Sequence, residues 1–469
     1  MPRWLADLLP IVVLLAVIVV VVARLPKVEL GHTAAFRRRR FFNWFPVGVT
    51  YAFLYMGRYN LNACIDRHDV LVLFDKAQYF EIDSWGALTY GLSFLINGPI
   101  TDRIGGRKTT VIAAVGAALA NLAMGVVALS ALRDGAIPRD ARPALVPVFS
   151  ALYALNMYFQ SFGAVSIVKV NSAWFHLRER GTFGGIFGIL ISMGLYFAFD
   201  WSSALVKGVG APSAFFVPAA ILLVLAAFDV ALVRDTPGDA GHADFDLGDA
   251  TGGGERMPLA KVVRLMLGSS AILTIAAVEF CSGYLRNTIL KSYRSFSEDT
   301  GRAATDFVQQ HWGMMNCVAG ILGGVLAGLI SDRLFQSRRG PVAGVLYAAM
   351  IVGSLAMYAT LSTPYVGWVL VLMTLAIIGV HGMLSGTASM DFGGKRNVGV
   401  VVGVIDGCVY LGSTLGSRVL KVVLPARPLS ASPAAWWTWP AAILPFAVIG
   451  FVLTLFVWNA KPKTAAVAS

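Results

Sequence analysis

"NGPITDRIGGRK" (Asn97–Lys108) closes an apolar run with a basic, glycine-containing turn, and "AGLISDRLFQSRRG" (Ala327–Gly340) does the same further along the chain. Each places Gly-x-x-Thr/Ser-Asp-Arg at the end of a hydrophobic segment. Counting back from each aspartate finds an arginine inside an apolar run: Arg58 lies 44 residues before Asp102, and Arg286 lies 46 before Asp332. A tyrosine shortly precedes each one (Tyr55, Tyr284). A third pair is "RERGTFGGIFGILISMG" (Arg178–Gly194) and "GKRNVGVVVGVIDGCVYLG" (Gly394–Gly412), in which a basic loop opens onto a glycine-rich span. Three landmarks in one order, at offsets of about 215–230 residues, indicate two duplicated halves of six helices.

The 469 residues are 57% hydrophobic and 14% charged, and many windows reach the roughly 20 apolar residues a bilayer crossing needs. The fold class is therefore an all-α integral membrane protein. Alternation of the strand-barrel kind is absent. Candidate spans fall at 8–24, 41–63, 84–102, 107–132, 145–172, 182–206, 212–233, 265–290, 310–332, 341–361, 366–388, 398–423 and 435–458. The first follows Arg3 as a signal peptide would. No small-residue cleavage site comes after it, so it reads as a retained extra helix. The expected organisation is an extra N-terminal helix and basic segment (1–40), a six-helix bundle (41–234), a cytoplasmic linker (235–264) and a second six-helix bundle (265–460). "RDTPGDAGHADFDLGDATGGGERMPLAK" (Arg234–Lys261) supplies the Gly- and Asp-rich linker.

The formal charge of +12 does not point to nucleic acid. Its basic residues cluster in short connections, and the expected topology puts every cluster on one side, as the positive-inside rule requires of cytoplasmic loops. The run Arg37–Arg40 also suits anionic lipid head groups. Four scattered cysteines and six histidines lack metal-ligand spacing, so neither a metal nor a cofactor is expected. No Walker motif, nucleophile elbow or paired acid site occurs, which argues against an enzyme or an ATP-driven pump. The glycine-rich runs lie within spans, where small residues let helices pack closely.

An arginine inside a span costs roughly 2.5–3.5 kcal/mol on insertion scales. Two of them at equivalent positions of duplicated halves would face each other near the midplane, where such carriers keep their site. An oxyanion such as phosphate engages both, because the planar guanidinium fork matches its geometry. Tyr55, Tyr59, Asn60, Tyr284 and Asn287 are the neighbouring polar candidates for that pocket, with Lys169 a further cation. Glu279, Lys291 and Asp406 are ionisable groups in or near apolar spans and default to charge-pair or coupling roles. Asp102, Arg103, Arg107, Glu179, Arg180, Asp332 and Arg333 form a candidate gating latch at the basic loops.

These residues also carry a resemblance. "TDRIGGRK" resembles the loop signature of the major facilitator superfamily. "WFHLRERGTFGG" (Trp174–Gly185), "RDTPGDAG" (Arg234–Gly241) and "YMGRYN" (Tyr55–Asn60) resemble stretches of its organophosphate:phosphate antiporter group, which includes glycerol-3-phosphate and hexose-phosphate transporters. The resemblance covers about residues 41–459. It implies the major facilitator fold, a bacterial inner-membrane location and alternating access, with an anionic, phosphate-bearing metabolite exchanged for inorganic phosphate. Arg58 and Arg286 match the group's paired phosphate-binding arginines. Two positions depart: Phe94 stands where glycerol-phosphate carriers have a second-helix lysine, and Ala173 stands where they have a histidine. Two alternatives are a proton-coupled symporter using Glu279 or Asp406 and a transporter-like sugar-phosphate sensor. Expected partners are the anionic solute, phosphate or protons, and membrane lipids, with the chain acting as a monomer.

Overall fold

The computed structural model describes residues 12, 15–20, 23, 31–65, 73–138, 140–176, 179–245, 264, 267–335 and 338–459; the side chains of 180–187, 271, 332 and 385–402 fall outside that description. Twelve long helices run through the described residues: α1 Ala34–Tyr59, α2 Lys76–Ile104, α3 Gly106–Ala131, α4 Leu145–Ser172, α5 Arg180–Tyr196, α6 Ser213–Leu232, α7 Ser270–Asp299, α8 Trp312–Leu334, α9 Arg339–Thr360, α10 Val366–His381, α11 Ala388–Val423 and α12 Thr438–Phe456. A π-helical turn, Phe197–Trp201, carries α5 on into Ser202–Gly208. Helix starts are capped as their sequences dictate. Asp75 and Gln78 form a reciprocal capping box at α2, and Ser269 caps α7.

The opening stretch explains itself here. Gly105, the only residue between α2 and α3, has φ +94°, a conformation that favours glycine. Its absent side chain admits Asp235, which accepts the Arg107 backbone N–H at 2.8 Å. A Cβ on Gly106 would stand 2.6 Å from Val170, so the start of α3 lies in near contact with the end of α4. Both glycines of "TDRIGGRK" are thus required by geometry.

The packing shows the duplication. In the first six helices α1 packs on α5 and α6, α2 on α4, and α3 on α4 and α6. In the second six α7 packs on α11 and α12, α8 on α10, and α9 on α10 and α12. The two large contacts between the sets, α2 with α11 and α5 with α8, are each other's counterparts under the same shift of six. At the α2–α11 seam a Cβ on Gly91 would meet the Gly407 carbonyl oxygen at 3.0 Å, and one on Gly403 the Phe94 oxygen at 2.7 Å.

Among the described residues, eight segments are long and apolar enough to cross a membrane: α3 to α6, α8 to α10 and α12. The four helices left over, α1, α2, α7 and α11, carry charges within their length. A charge in hydrocarbon is costly unless it turns inward, and these four line the centre of the protein. Their polarity also hid their true length. α2 begins at Lys76 and α7 ends at Asp299, where hydropathy had placed the span limits at 84 and 290. Most of the extra N-terminal helix and residues 246–263 of the linker lie outside the described residues. The described part, Leu15–Val20, is helical, and Val17 and Ile18 pack with Ile189 of α5 and with Cys317 and Ile321 of α8.

The α7–α11 crossing is closer still. A Cβ on Gly283 would lie 1.8 Å from the Val409 carbonyl oxygen, and one on Gly412 1.9 Å from that of Phe280. Gly283→Ala must push two backbones apart, and overpacking of this kind costs about 1–3 kcal/mol. The expected result is a lower melting temperature of the purified protein. An unchanged melting curve would mean the helices cross more loosely than this.

Candidate functional site

Arg58 lies in the last turn of α1 and is wholly buried. Its Nε donates to Gln160 Oε1 at 2.9 Å and its Nη1 to the Tyr410 hydroxyl at 2.6 Å. Tyr90 and Tyr55 present their rings 4.5 and 4.6 Å from the guanidinium carbon, with Tyr410 and Tyr51 further out. Such rings stabilise a desolvated cation by about 0.5–2 kcal/mol each. Both hydrogen-bond partners are neutral, and Nη2 is buried with no partner among the described residues.

Gln160 is held in turn by a chain of amides. It donates to Asn156 at 3.1 Å, Asn156 donates to the Gly57 carbonyl at 2.9 Å, and Asn121 joins Asn156 to Asn60. Asn60 is therefore not a pocket group. It sits at the far end of this chain, bonded to Asn121 and the Ala214 carbonyl at 2.8 Å each.

Arg286, on α7, is also buried and forms no hydrogen bond or ion pair among the described residues. Its guanidinium carbon lies 5.8 Å from the Tyr410 ring centroid, the same distance as that of Arg58. Twice that distance is the most that can separate the two cations. They share a cavity of about 10 Å³, room for about one water, with Tyr59, Asn287, Lys291 and Tyr410. Lys291 supplies a third cation from α7. Phe94 of α2 packs beside Tyr90 and Tyr410.

Lys291 is the one cavity cation with a carboxylate bonded to it. Its Nζ lies 2.7 Å from each oxygen of Asp83 on α2, and the Ser417 hydroxyl of α11 donates to the same carboxylate at 2.5 Å. Asn62 donates to the Lys291 carbonyl at 3.2 Å. These contacts join the two helix sets on the side away from the basic loops. More ties occur at that end. Glu81 pairs with Lys421 at 2.6 Å, Lys76 with Asp299, and Arg294 with Ser203 at 3.0 Å. Asp200, in the π-helical turn, accepts the N–H groups of Gly313 and Met314 at 2.7 and 2.9 Å, capping the start of α8.

The basic end differs from the expected latch. Asp102 pairs with Lys169 at 2.7 Å and Glu179 with Arg40 at 2.9 Å, and all four residues belong to the first six helices. Arg107 donates to the Val230 carbonyl, while Arg103 and Arg333 are exposed. The side chains of Arg180 and Asp332 lie outside the described residues. Among those described, the ion pairs between helix sets therefore stand at the other end. Lys169, engaged with Asp102, does not line the cavity. Nor does Tyr284, whose ring stacks on Phe446 at 3.7 Å and whose hydroxyl donates to the Ala442 carbonyl. Glu279, fully buried two turns before Arg286, pairs with His381 Nδ1 at 3.0 Å, while Asp406 is half-buried on α11.

The sequence reading missed Asp83, Gln160 and Tyr410. Asp83 fell one residue outside an assigned span. Gln160 and Tyr410 are neutral polar residues in apolar helices and carry no signal of their own.

Known proteins resemble this chain over nearly its whole length. A probable hexose phosphate transport protein of Chlamydia trachomatis is 23% identical over 454 residues, covering 91% of this chain and 92% of its own. The glycerol-3-phosphate transporter of Bacillus subtilis is 24% identical, covering 91% and 89%. The membrane sensor protein UhpC of Escherichia coli is 22% identical, covering 81% and 84%. Among solved structures, a bacterial homologue of the human lysosomal transporter Spinster, inward-facing and unoccupied, superposes with a TM-score of 0.59 at 13% identity, covering 91% of this chain and 96% of its own. The family model of the Major Facilitator Superfamily matches residues 41–417. With that match across most of its length, and twelve helices paired as two repeats, this multi-pass membrane protein belongs to the Major Facilitator Superfamily.

Proposed function

We propose that the protein is a secondary transporter that carries a phosphoryl-bearing metabolite by alternating access, in exchange for inorganic phosphate. The observation that carries this reading is the bare Nη2 of Arg58. A buried charged donor left unsatisfied is costly, and the residue that bears it lines a cavity shared with a second guanidinium that is unpaired among the described residues. Of the three cavity cations only Lys291 is neutralised, which leaves two positive charges. A phosphate monoester carries about −1.5 to −2 at pH 7 and offers three strong acceptor oxygens. Its oxygens take the place of the Tyr410 hydroxyl on Arg58 and reach Arg286 across the ring. The relatives named for hexose phosphate and glycerol-3-phosphate point to the same class of cargo. The cavity is complete within one chain, which supports a monomeric carrier.

The test is a melting-temperature screen of purified protein followed by counterflow in proteoliposomes. Glucose 6-phosphate, glycerol 3-phosphate and inorganic phosphate are the probes, with glucose and glycerol as controls. Ligand at a hundred times its Kd stabilises the folded state by about 2.7 kcal/mol. At least one phosphorylated probe should raise the melting temperature and exchange with phosphate, and the controls should do neither. Equal responses to the controls would overturn the reading.

The Glu279–His381 pair favours one second reading, coupling to protons. Under it Glu279→Gln abolishes substrate-driven alkalinisation; under phosphate exchange no alkalinisation accompanies transport. Binding without counterflow would instead align the chain with the sensor named above.

A further inference from the structure

The N-terminal helix lies over one of the two seams between the helix sets. At the α2–α11 seam the far end is held by Glu81 on Lys421 and Asp83 on Ser417. At the α5–α8 seam the same end is held by Asp200, whose carboxylate accepts the Gly313 and Met314 N–H groups. Further in, the two helices approach closely: a Cβ on Gly320 would stand 2.6 Å from the Ser192 hydroxyl oxygen. The outer edge of this stretch is apolar. Ile189 of α5 and Cys317 and Ile321 of α8 form one buried cluster there, and Val17 and Ile18 of the N-terminal helix pack against it. Cys317 is four residues, about one turn, past Gly313 on α8. The covered stretch therefore starts one turn from the Asp200 cap and runs towards mid-span. Val12, Leu15, Val19 and Val20 are each more than half exposed. One face of the helix is thus seated on both helix sets, and the other meets lipid.

We propose that Val17 and Ile18 make this helix a clasp, which spans the α5–α8 seam and holds it in the far-closed arrangement described above. The consequence for transport rests on alternating access, whereas the seating stands on the packing alone. Lipid tails are as apolar as valine and isoleucine, so the hydrophobic effect does not decide where such a helix sits; close packing does. Both residues are β-branched and hold few rotamers, which suits them to a fixed groove. That groove has one wall on each helix set. When the sets rotate against each other its walls shift, and the clasp loses fit to one of them. The arrangement with the groove intact is favoured accordingly. The cover also keeps lipid tails out of the seam one turn from Asp200, whose carboxylate is costly to expose to hydrocarbon.

The test uses the full-length chain in proteoliposomes and has two readouts. For the seating, Cys317 is kept as the sole native cysteine, and a second is introduced by Val17→Cys, Ile18→Cys, Leu15→Cys or Val19→Cys. Copper phenanthroline should link Cys317 in the Val17→Cys or Ile18→Cys chain and not in the other two, read by mass spectrometry as the joined peptides. For the clasp, Leu290→Cys in a cysteine-free background reports far-side opening, because Leu290 lines the central cavity. Val17→Ala with Ile18→Ala should speed its labelling by an impermeant maleimide from the far side about threefold, through the loss of several weak dispersion contacts. Linking absent from both the Val17→Cys and Ile18→Cys chains, or equally ready in the other two, overturns the seating and with it the clasp. Labelling unchanged by the alanine pair, where Asp83→Asn still speeds it, overturns the clasp and spares alternating access. Labelling that neither change alters overturns both.

Discussion

Arg58→Lys should lower affinity for a phosphorylated ligand by about 100-fold and abolish its counterflow, in protein that still elutes as a folded monodisperse species. The guanidinium uses Nε to hold Gln160, which fixes the plane of the fork, and offers cargo the bare Nη2 together with the Nη1 that otherwise holds Tyr410. A lysine has one nitrogen for all three tasks and cannot present two parallel donors. Charge-assisted hydrogen bonds contribute about 1.5–3 kcal/mol each, so losing a bidentate contact costs about 3 kcal/mol, near 100-fold in Kd. Gln160→Leu should act the same way but more weakly, since the fork stays and only its orientation relaxes. Binding that survives Arg58→Lys undiminished would remove the central site from the mechanism.

The second large effect is expected at Asp83. Asp83→Asn leaves Lys291 buried at 5% exposure with no carboxylate, and breaking one side of a buried pair costs about 3–5 kcal/mol. The loss falls on the closed far end, because Asp83 ties α2 to both α7 and α11 there. The protein should melt lower and spend more time open on that side. A cysteine placed at Leu290 in a cysteine-free background reports the opening, since Leu290 lines the central cavity and is buried. Its labelling by a membrane-impermeant maleimide from the far side should speed up strongly in Asp83→Asn. The double change Asp83→Asn with Lys291→Met should recover much of the melting temperature, because no uncompensated charge remains. Labelling unaltered by Asp83→Asn would show that closure rests on the other ties.

The fold was legible because its two strongest signals are properties of chains in bilayers. Long apolar runs mark spans, and a repeated turn with an arginine at a fixed distance marks a duplication. Arg58 and Arg286 were legible for the same reason, as a charge inside an apolar helix has few neutral explanations. Tyr410 was not. A tyrosine in a span reads the same whether it packs or binds, and its role appears only when α11 lies against α1 and α7. The ties between the helix sets at the far end were not foreseen for a related reason. Charges beside the basic loops form a compact sequence motif, whereas Asp83 and Lys291 are single residues 208 positions apart. Asn60 looked like a pocket group because it lies two residues from Arg58, yet the turn Asn60–Cys64 carries its side chain towards α3 and α6.

α2 carries Asp83 near one end and Asp102 at the other, nineteen residues apart, or about 28 Å along a stiff rod. A rod of that length behaves as a lever pivoting near its middle. A swing of about 15°, the size of known rigid-body rotations, displaces each tip by about 3–4 Å. That stroke exceeds the reach of the hydrogen bonds from Asp83 to Lys291 and Ser417, which sit on the opposing bundle. Asp102 rides along unharmed, since Lys169 travels with it. Under the proposed alternating access, one tip of the lever is a catch that releases and the other is a rivet that holds.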